Sequence, residues 1–417
     1  MRQRQSLFSV IRACAAAAII LLLVPVALAR GSGSKFKILH RFYAGQNNGG
    51  GAWGGLTFDG MGSLYGTTWG GGVNGEGTVF ELAPSVKGSW KIKVLHSFDP
   101  RTEGNDPRGT LIFDGDATLY GTTSLNGANG AGGTVFKMTR TSGDWTFSVI
   151  DDYGSSAGVV LDQAGNLYGN IGPGDYSEGA VTELVPGSDG WTQSYLYSFC
   201  QKAYCPDGSA PVSGVIFDSA GNLYGSTEYG GTGQLGGLGG GTAYELKHKP
   251  DGTWQHVVLH NFPAFRGDGF YVYNGLVLDE SGNLYGAAAQ GGSIDCGTVF
   301  KLTHVAKGWK ESILHDFKQP TSGCGPSRVT FDAVGNLYGT TVGGGVGDCN
   351  GGCGVVFKLT PSSDGKWTYS ALHRFKDYDG AVPDSGVILD QKGNLYGTTG
   401  LGGGGSSVGV VFEITPQ

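Results

Sequence analysis

One tripeptide limits what this chain can fold into. Leu-Tyr-Gly occurs seven times, with its tyrosine at Tyr65, Tyr120, Tyr168, Tyr224, Tyr285, Tyr338 and Tyr396, at gaps of 55, 48, 56, 61, 53 and 58 residues. A recurring period of this length marks an architecture in which each unit buries its apolar face against the next. Every copy has four segments in one order. The first is a short apolar run ending in Asp, as at 386–390; the second is NLYGTT, as at 394–399. The third resembles GTVFKL, as at 133–138, and the fourth runs from Trp to L-H-x-F, as from Trp90 to Phe98. All are short, rich in β-branched and aromatic residues, bounded by turn residues and without a helical period, so they are predicted strands of four to nine residues. The D-x-x-G-N string at 162–166 reads as a tight hairpin turn, with Asp accepting backbone N–H bonds and Gly supplying positive φ.

Four antiparallel strands per copy predict an all-β fold, a seven-bladed β-propeller of four-stranded antiparallel blades. The chain ends after a third segment, VVFEITP at 410–416, while a lone fourth segment, KILHRF at 37–42, precedes the first full copy. Residues 36–42 are therefore expected to close the ring as the outermost strand of the blade formed by 386–416, leaving no open sheet edge. The expected organisation is a signal peptide at 1–29, a short linker at 30–35 and one propeller domain at 36–417.

The signal peptide is read from a basic start (Arg2, Arg4, Arg12), an apolar run from Ala13 to Leu28 and an Ala27-Leu28-Ala29 cleavage site. The run is short for a membrane span and contains Pro25, so no stable span is expected after cleavage. Removing 1–29 removes three arginines and no acid, taking the net charge from −7 to −10. That balance argues against a nucleic-acid or anionic-lipid partner and suits a secreted or periplasmic bacterial protein. Six cysteines remain, an even number permitting disulfides in an exported chain. The local pairings are Cys200 with Cys205 and Cys349 with Cys353, which leaves Cys296 with Cys324.

The string D-x-x-G-N-L-Y-G-T-T, a glycine-rich loop and G-T-V-F-x-L, repeated in order over nearly the whole mature chain, resembles the GloVer-type tandem-repeat family, a choice-of-anchor group of exported bacterial proteins. The resemblance implies export and supplies no catalytic residue to carry over. The family often has a C-terminal sorting anchor; this chain ends at its last strand, so no such anchor is expected. The cadence is also similar to kelch and NHL repeats, as a matter of fold.

In a repeat protein, a residue present in every copy is most simply structural. His40, His96, His260, His315 and His373 share one position of the fourth segment, spread around the ring, and are read as structural. His248, His256 and His304 are read as solvated. The seven turn aspartates are not paired acid/base groups, and the glycine runs lack the following helix of a phosphate loop. No catalytic residue, metal or cofactor is expected. The variable connections, from segment two to three and from four to the next one, share a face bearing all six cysteines and Trp53, Trp69, Tyr176, Tyr229, Phe265, Tyr271, Tyr273 and Tyr378. Six residues before each turn Asp stand Trp53, Arg108, Ser156, Val212, Tyr273, Pro326 and Asp384, without a consensus; two positions later Thr110 and Arg328 replace Gly. A ligand site at the channel mouth is expected from Trp53, Arg108, Tyr273, Arg328 and Asp384, the arginines holding an anionic or polyhydroxyl group and the rings stacking on it. The expected function is a non-catalytic binding or scaffold propeller for a glycan or another protein. The alternative is an extracellular carbohydrate-active hydrolase or lyase acting at the same mouth.

Overall fold

The structure, a computed structural model, describes residues 34–127, 132–232, 239–263, 267–345 and 347–416. The expected signal peptide, most of the linker and Phe265 lie outside them. Seven four-stranded antiparallel sheets follow one another as propeller blades. In the first six, strand order matches chain order. The first blade is Thr57–Phe58, Leu64–Thr68, Thr78–Pro84 and Trp90–Ser97. The seventh takes Val387–Leu389, Leu395–Thr399 and Ser407–Thr415 from the C-terminal end, then Lys35–Tyr43 from the other. Phe36 pairs with Ile414, Ile38 with Phe412 and His40 with Val411, so the expected closure is present. Among the described residues no helix is long and apolar enough to cross a membrane.

The innermost strands correct one expectation. Most are two or three residues long, such as Val160–Leu161 and Leu276–Leu278, not four or more. The residues just before them leave the ladder to line the axis. The sixth blade differs, with an eight-residue inner strand, Cys324–Phe331, whose register breaks between Pro326 and Val329.

The repeated tripeptide locks neighbouring blades. Its tyrosine packs edge-on against a first-strand Phe of the next blade: Tyr65 on Phe113 at 4.9 Å, Tyr168 on Phe217 at 5.0 Å, Tyr285 on Phe331 at 4.9 Å and Tyr396 on Phe58 at 5.3 Å. A Trp from the fourth strand of that blade flanks several of these rings, as Trp145 does Tyr65 and Trp367 does Tyr285. The glycine is required by close approach. A Cβ at Gly286 would stand 2.6 Å from the Phe300 ring and one at Gly339 2.7 Å from Phe357. Those phenylalanines are fully buried, each stabilising the fold by about 1.5–3 kcal/mol.

In five of the seven copies both oxygens of the turn aspartate are taken up in holding the turn. In Asp279, Oδ1 accepts the N–H groups of Ser281 and Asn283, while Oδ2 accepts the Asn283 side-chain amide at 2.7 Å and the Tyr285 hydroxyl at 3.0 Å. The same four bonds recur around Asp162, Asp218, Asp332 and Asp390. Burial opposes the charge of Asp218, Asp279 and Asp332, but the Asn, backbone and Tyr bonds outweigh it and hold these carboxyls below their usual range.

The outer strands form a seam. The shared histidine of one blade meets the residue four positions before its equivalent in the next. His96 stacks on Phe147 at 3.9 Å, His315 on Tyr369 at 4.5 Å and His373 on Phe36 at 3.8 Å. Tyr197, which replaces the histidine in the third blade, stacks on His256 at 4.1 Å. His256 is therefore not solvated, as its place near a turn suggested. It is the stacking partner in its seam, and burial pushes it down to about 4.

All three expected disulfides are present: Cys200–Cys205, Cys296–Cys324 and Cys349–Cys353, with Cα atoms 4.1, 4.4 and 5.1 Å apart. Non-reducing peptide mapping is expected to recover these pairs. A free thiol at any of the six positions would contradict the structure.

Candidate functional site

The turn-anchored hairpins fix where each inner strand starts, and so fix the residues before it around the axis. There they line a half-open cavity of about 450 Å³, within the range of small-molecule sites. Trp53, Arg108, Ser156, Val212, Tyr273 and Asp384 line it, each from the position six before a turn Asp; Pro326 does not. Thr110 and Arg328 line it from the position where other copies have Gly. Lower on the wall stand Ile112, Val160 and Ile216 from the short inner strands. The five residues expected to form a site thus share one cavity.

Its polar groups are not equivalent. Arg108 is already engaged: its Nε donates to Asp106 Oδ1 at 2.7 Å, and its guanidinium lies 5.6 Å from the Trp53 ring centroid. Arg328 has no ion pair among the described residues. By surface area Arg328 is an exposed residue, open to solvent through the cavity, while the protein packed around the cavity wall lowers its pKa by desolvation. Asp384 has a buried Oδ1 without a hydrogen-bond partner. Burial raises its pKa, against an opposing pull from Arg108. Tyr273 is pushed up to about 12 by burial, then by Asp384 and Glu228.

Glu228 and Asn274 also line the cavity, and sequence reading missed both. Glu228 stands four residues after Tyr224, where the other copies carry Trp69, Ser124, Gly172, Ala289, Val342 and Gly400. That lack of consensus was the available signal. Among the described residues no His or Cys lines the cavity. Trp69, Tyr176 and Tyr378 are about half exposed, as expected of rings on the variable loops, and Tyr204 is a further exposed ring.

The family model for the Gloeobacter/Verrucomicrobia repeat matches residues 28–239 and again 234–417. The chain belongs to the Gloeobacter/Verrucomicrobia repeat family. None of the curated proteins matches this repeat protein. Among solved structures, it is similar to an ancestral GH74 enzyme, with TM-score 0.54 and 11% identity over 92% of this chain and 51% of that one. It is similar to the extracellular domain of a proposed hybrid two-component system of B. thetaiotaomicron, with TM-score 0.51 and 14% identity over 93% of this chain and 42% of that one. It is also similar to PorZ, a surface component of the type-IX secretion system of Porphyromonas gingivalis, with TM-score 0.50 and 14% identity over 86% of this chain and 46% of that one. The repeat protein thus spans about half or less of these structures. At such identities the likeness concerns the propeller fold alone.

Proposed function

We propose that this repeat protein is an exported binding propeller that seats a sugar unit of a glycan in its axial cavity. One observation carries the reading: Arg328, with unpaired donors, shares a half-open axial cavity with the unpartnered acceptor of Asp384. Donor and acceptor groups beside the faces of Trp53 and Tyr273 suit a polyhydroxyl ring, whose hydroxyls give and take hydrogen bonds and whose C–H faces stack on aromatics. Export is supported by the basic and apolar N-terminus and by three disulfides.

The test is a glycan-array screen of the mature protein, followed by Arg328→Ala. Arg328 is the cleaner choice because Arg108 also holds Asp106 and covers Trp53. Loss of a charge-assisted bond of about 1.5–3 kcal/mol predicts binding about ten- to hundred-fold weaker at an unchanged melting temperature. Undiminished binding by Arg328→Ala would remove the site.

A second reading has one observation in its favour: the cavity holds two carboxyls, Glu228 and Asp384, and that of Asp384 is biased toward the protonated form. A raised acid beside a second carboxylate is the pairing glycosidases use. Asp384→Asn separates the two. It should spare a binder's affinity within a few-fold but abolish any turnover of the identified glycan.

A further inference from the structure

We propose that His260, Asp268 and Glu311 bind one divalent transition-metal ion of zinc type, which clasps the fourth blade to the fifth. No metal was expected from the sequence, because the shared histidines are spread around the ring. The site arises in a seam that lacks the ring stack found in four others. His260 lies on the outer strand Trp254–Asn261 of the fourth blade and Glu311 on the outer strand Gly308–Asp316 of the fifth. Glu311 occupies the position that holds Phe147, His256, Tyr369 and Phe36 in the stacked seams. Here the histidine meets a carboxylate instead of a ring, with His260 Nε2 3.3 Å from Glu311 Oε2.

The loop that follows brings in Asp268. One ligand atom from each of the three residues lies within 4.8 Å of the others. Small side-chain rotations convert that spacing into bonds of about 2.0–2.2 Å. His260 Nε2 and Glu311 Oε1 are both cut off from solvent and have no hydrogen-bond partner, although His260 Nε2 stays within ion-pair distance of Glu311 Oε2. Buried polar atoms of this kind are normally satisfied. Among the described residues no Lys or Arg pairs with either carboxylate. Two carboxylates held this close together repel when both are ionised. A divalent cation removes the repulsion and satisfies both orphaned atoms. One imidazole nitrogen and two carboxylates are a zinc-type donor set that leaves a fourth position for water. The six cysteines are in disulfides and do not compete for the ion.

The seam carries its own control. Glu311→Tyr writes in the ring that stacks on His315 in the next seam, as Tyr369 does at 4.5 Å. The purified mature protein is dialysed against Zn²⁺ and its bound metal measured by elemental analysis, alongside thermal melts. The wild-type protein should retain one zinc per chain and melt higher with it. Glu311→Tyr and Asp268→Asn should each bind at least about ten-fold more weakly, and Glu311→Tyr should keep its melting temperature without metal. If Glu311→Tyr does not fold, Asp268→Asn decides. No retention by the wild-type protein, which would mean that the two acids simply share a proton, overturns the proposal. So does retention unchanged in the variants.

Discussion

Deletion of residues 30–44 is expected to cost the ring most of its stability. The deleted strand supplies Phe42, which is fully buried, and Phe36, Ile38 and Leu39, which pack against the clusters on either side of the closure. At about 1.5–3 kcal/mol for a fully buried side chain and less for the others, the loss is about 5 kcal/mol or more, comparable with the whole stability of many domains. It also exposes the edge of Ser407–Thr415 and leaves His373 without its stack on Phe36. Chemical denaturation should show a lower midpoint and a shallower transition. A synthetic peptide of residues 34–44, added in trans, should restore part of both. A truncated chain that melts like its parent would refute the closure.

Acid should weaken the fold well above the pH at which carboxylates titrate. His40, His256 and His315 are each held down to about 4 by burial. Asp207 pulls His256 the other way; Asp316 and Lys318 act on His315 in opposite senses. A histidine in the unfolded chain titrates near pH 6.5. Because the folded values lie lower, the unfolded chain takes up protons first. Stability is whole above about pH 6.5 and is lost as pH falls from there toward about 4. Each histidine contributes about 3 kcal/mol at most, since a tenfold change in proton affinity is worth about 1.4 kcal/mol, and partial solvent access reduces that. The three together should still lower urea midpoints markedly between pH 7.5 and 4.5. Further down, Asp218, Asp279 and Asp332 add a second loss, beginning near pH 4, because their folded values lie below the unfolded one. His256→Phe keeps a ring against Tyr197 and removes one titration, so it should flatten the upper part of the profile. Equal midpoints at pH 7.5 and 5 would show that these imidazoles are not buried as described.

The ring, its closure and the disulfides were legible because repetition makes structural positions declare themselves. Seven aligned copies separate what every blade needs from what one blade adds. The same alignment brought Trp53, Arg108, Tyr273, Arg328 and Asp384 to one mouth, since residues at a fixed distance from a turn must occupy equivalent places on the ring. Glu228 was missed because it lies beyond the second strand, and a single sequence does not say which loop leans over the axis. The reading of His256 failed for a related reason. Its neighbour in space, Tyr197, lies in another blade, and the position that meets it carries a different residue in nearly every copy, so no repeated motif marked it. Glu311 was invisible on the same ground. The shortness of the inner strands was hidden because their apolar residues continue to look strand-like after the backbone has left the ladder to line the cavity.

The two-ended seventh blade also sets an order of events. Phe42 and Ser407, which meet there, are 365 residues apart. The strand of Phe42 is made first and waits unpaired until Ser407 follows. Six blades can assemble as they emerge, but the seventh cannot. Its long loop also makes closure the slowest contact to find. A nascent chain of this design stays open, and can be threaded, until its final strand is released. Closure of the ring is thereby deferred until its C-terminal strand has been made.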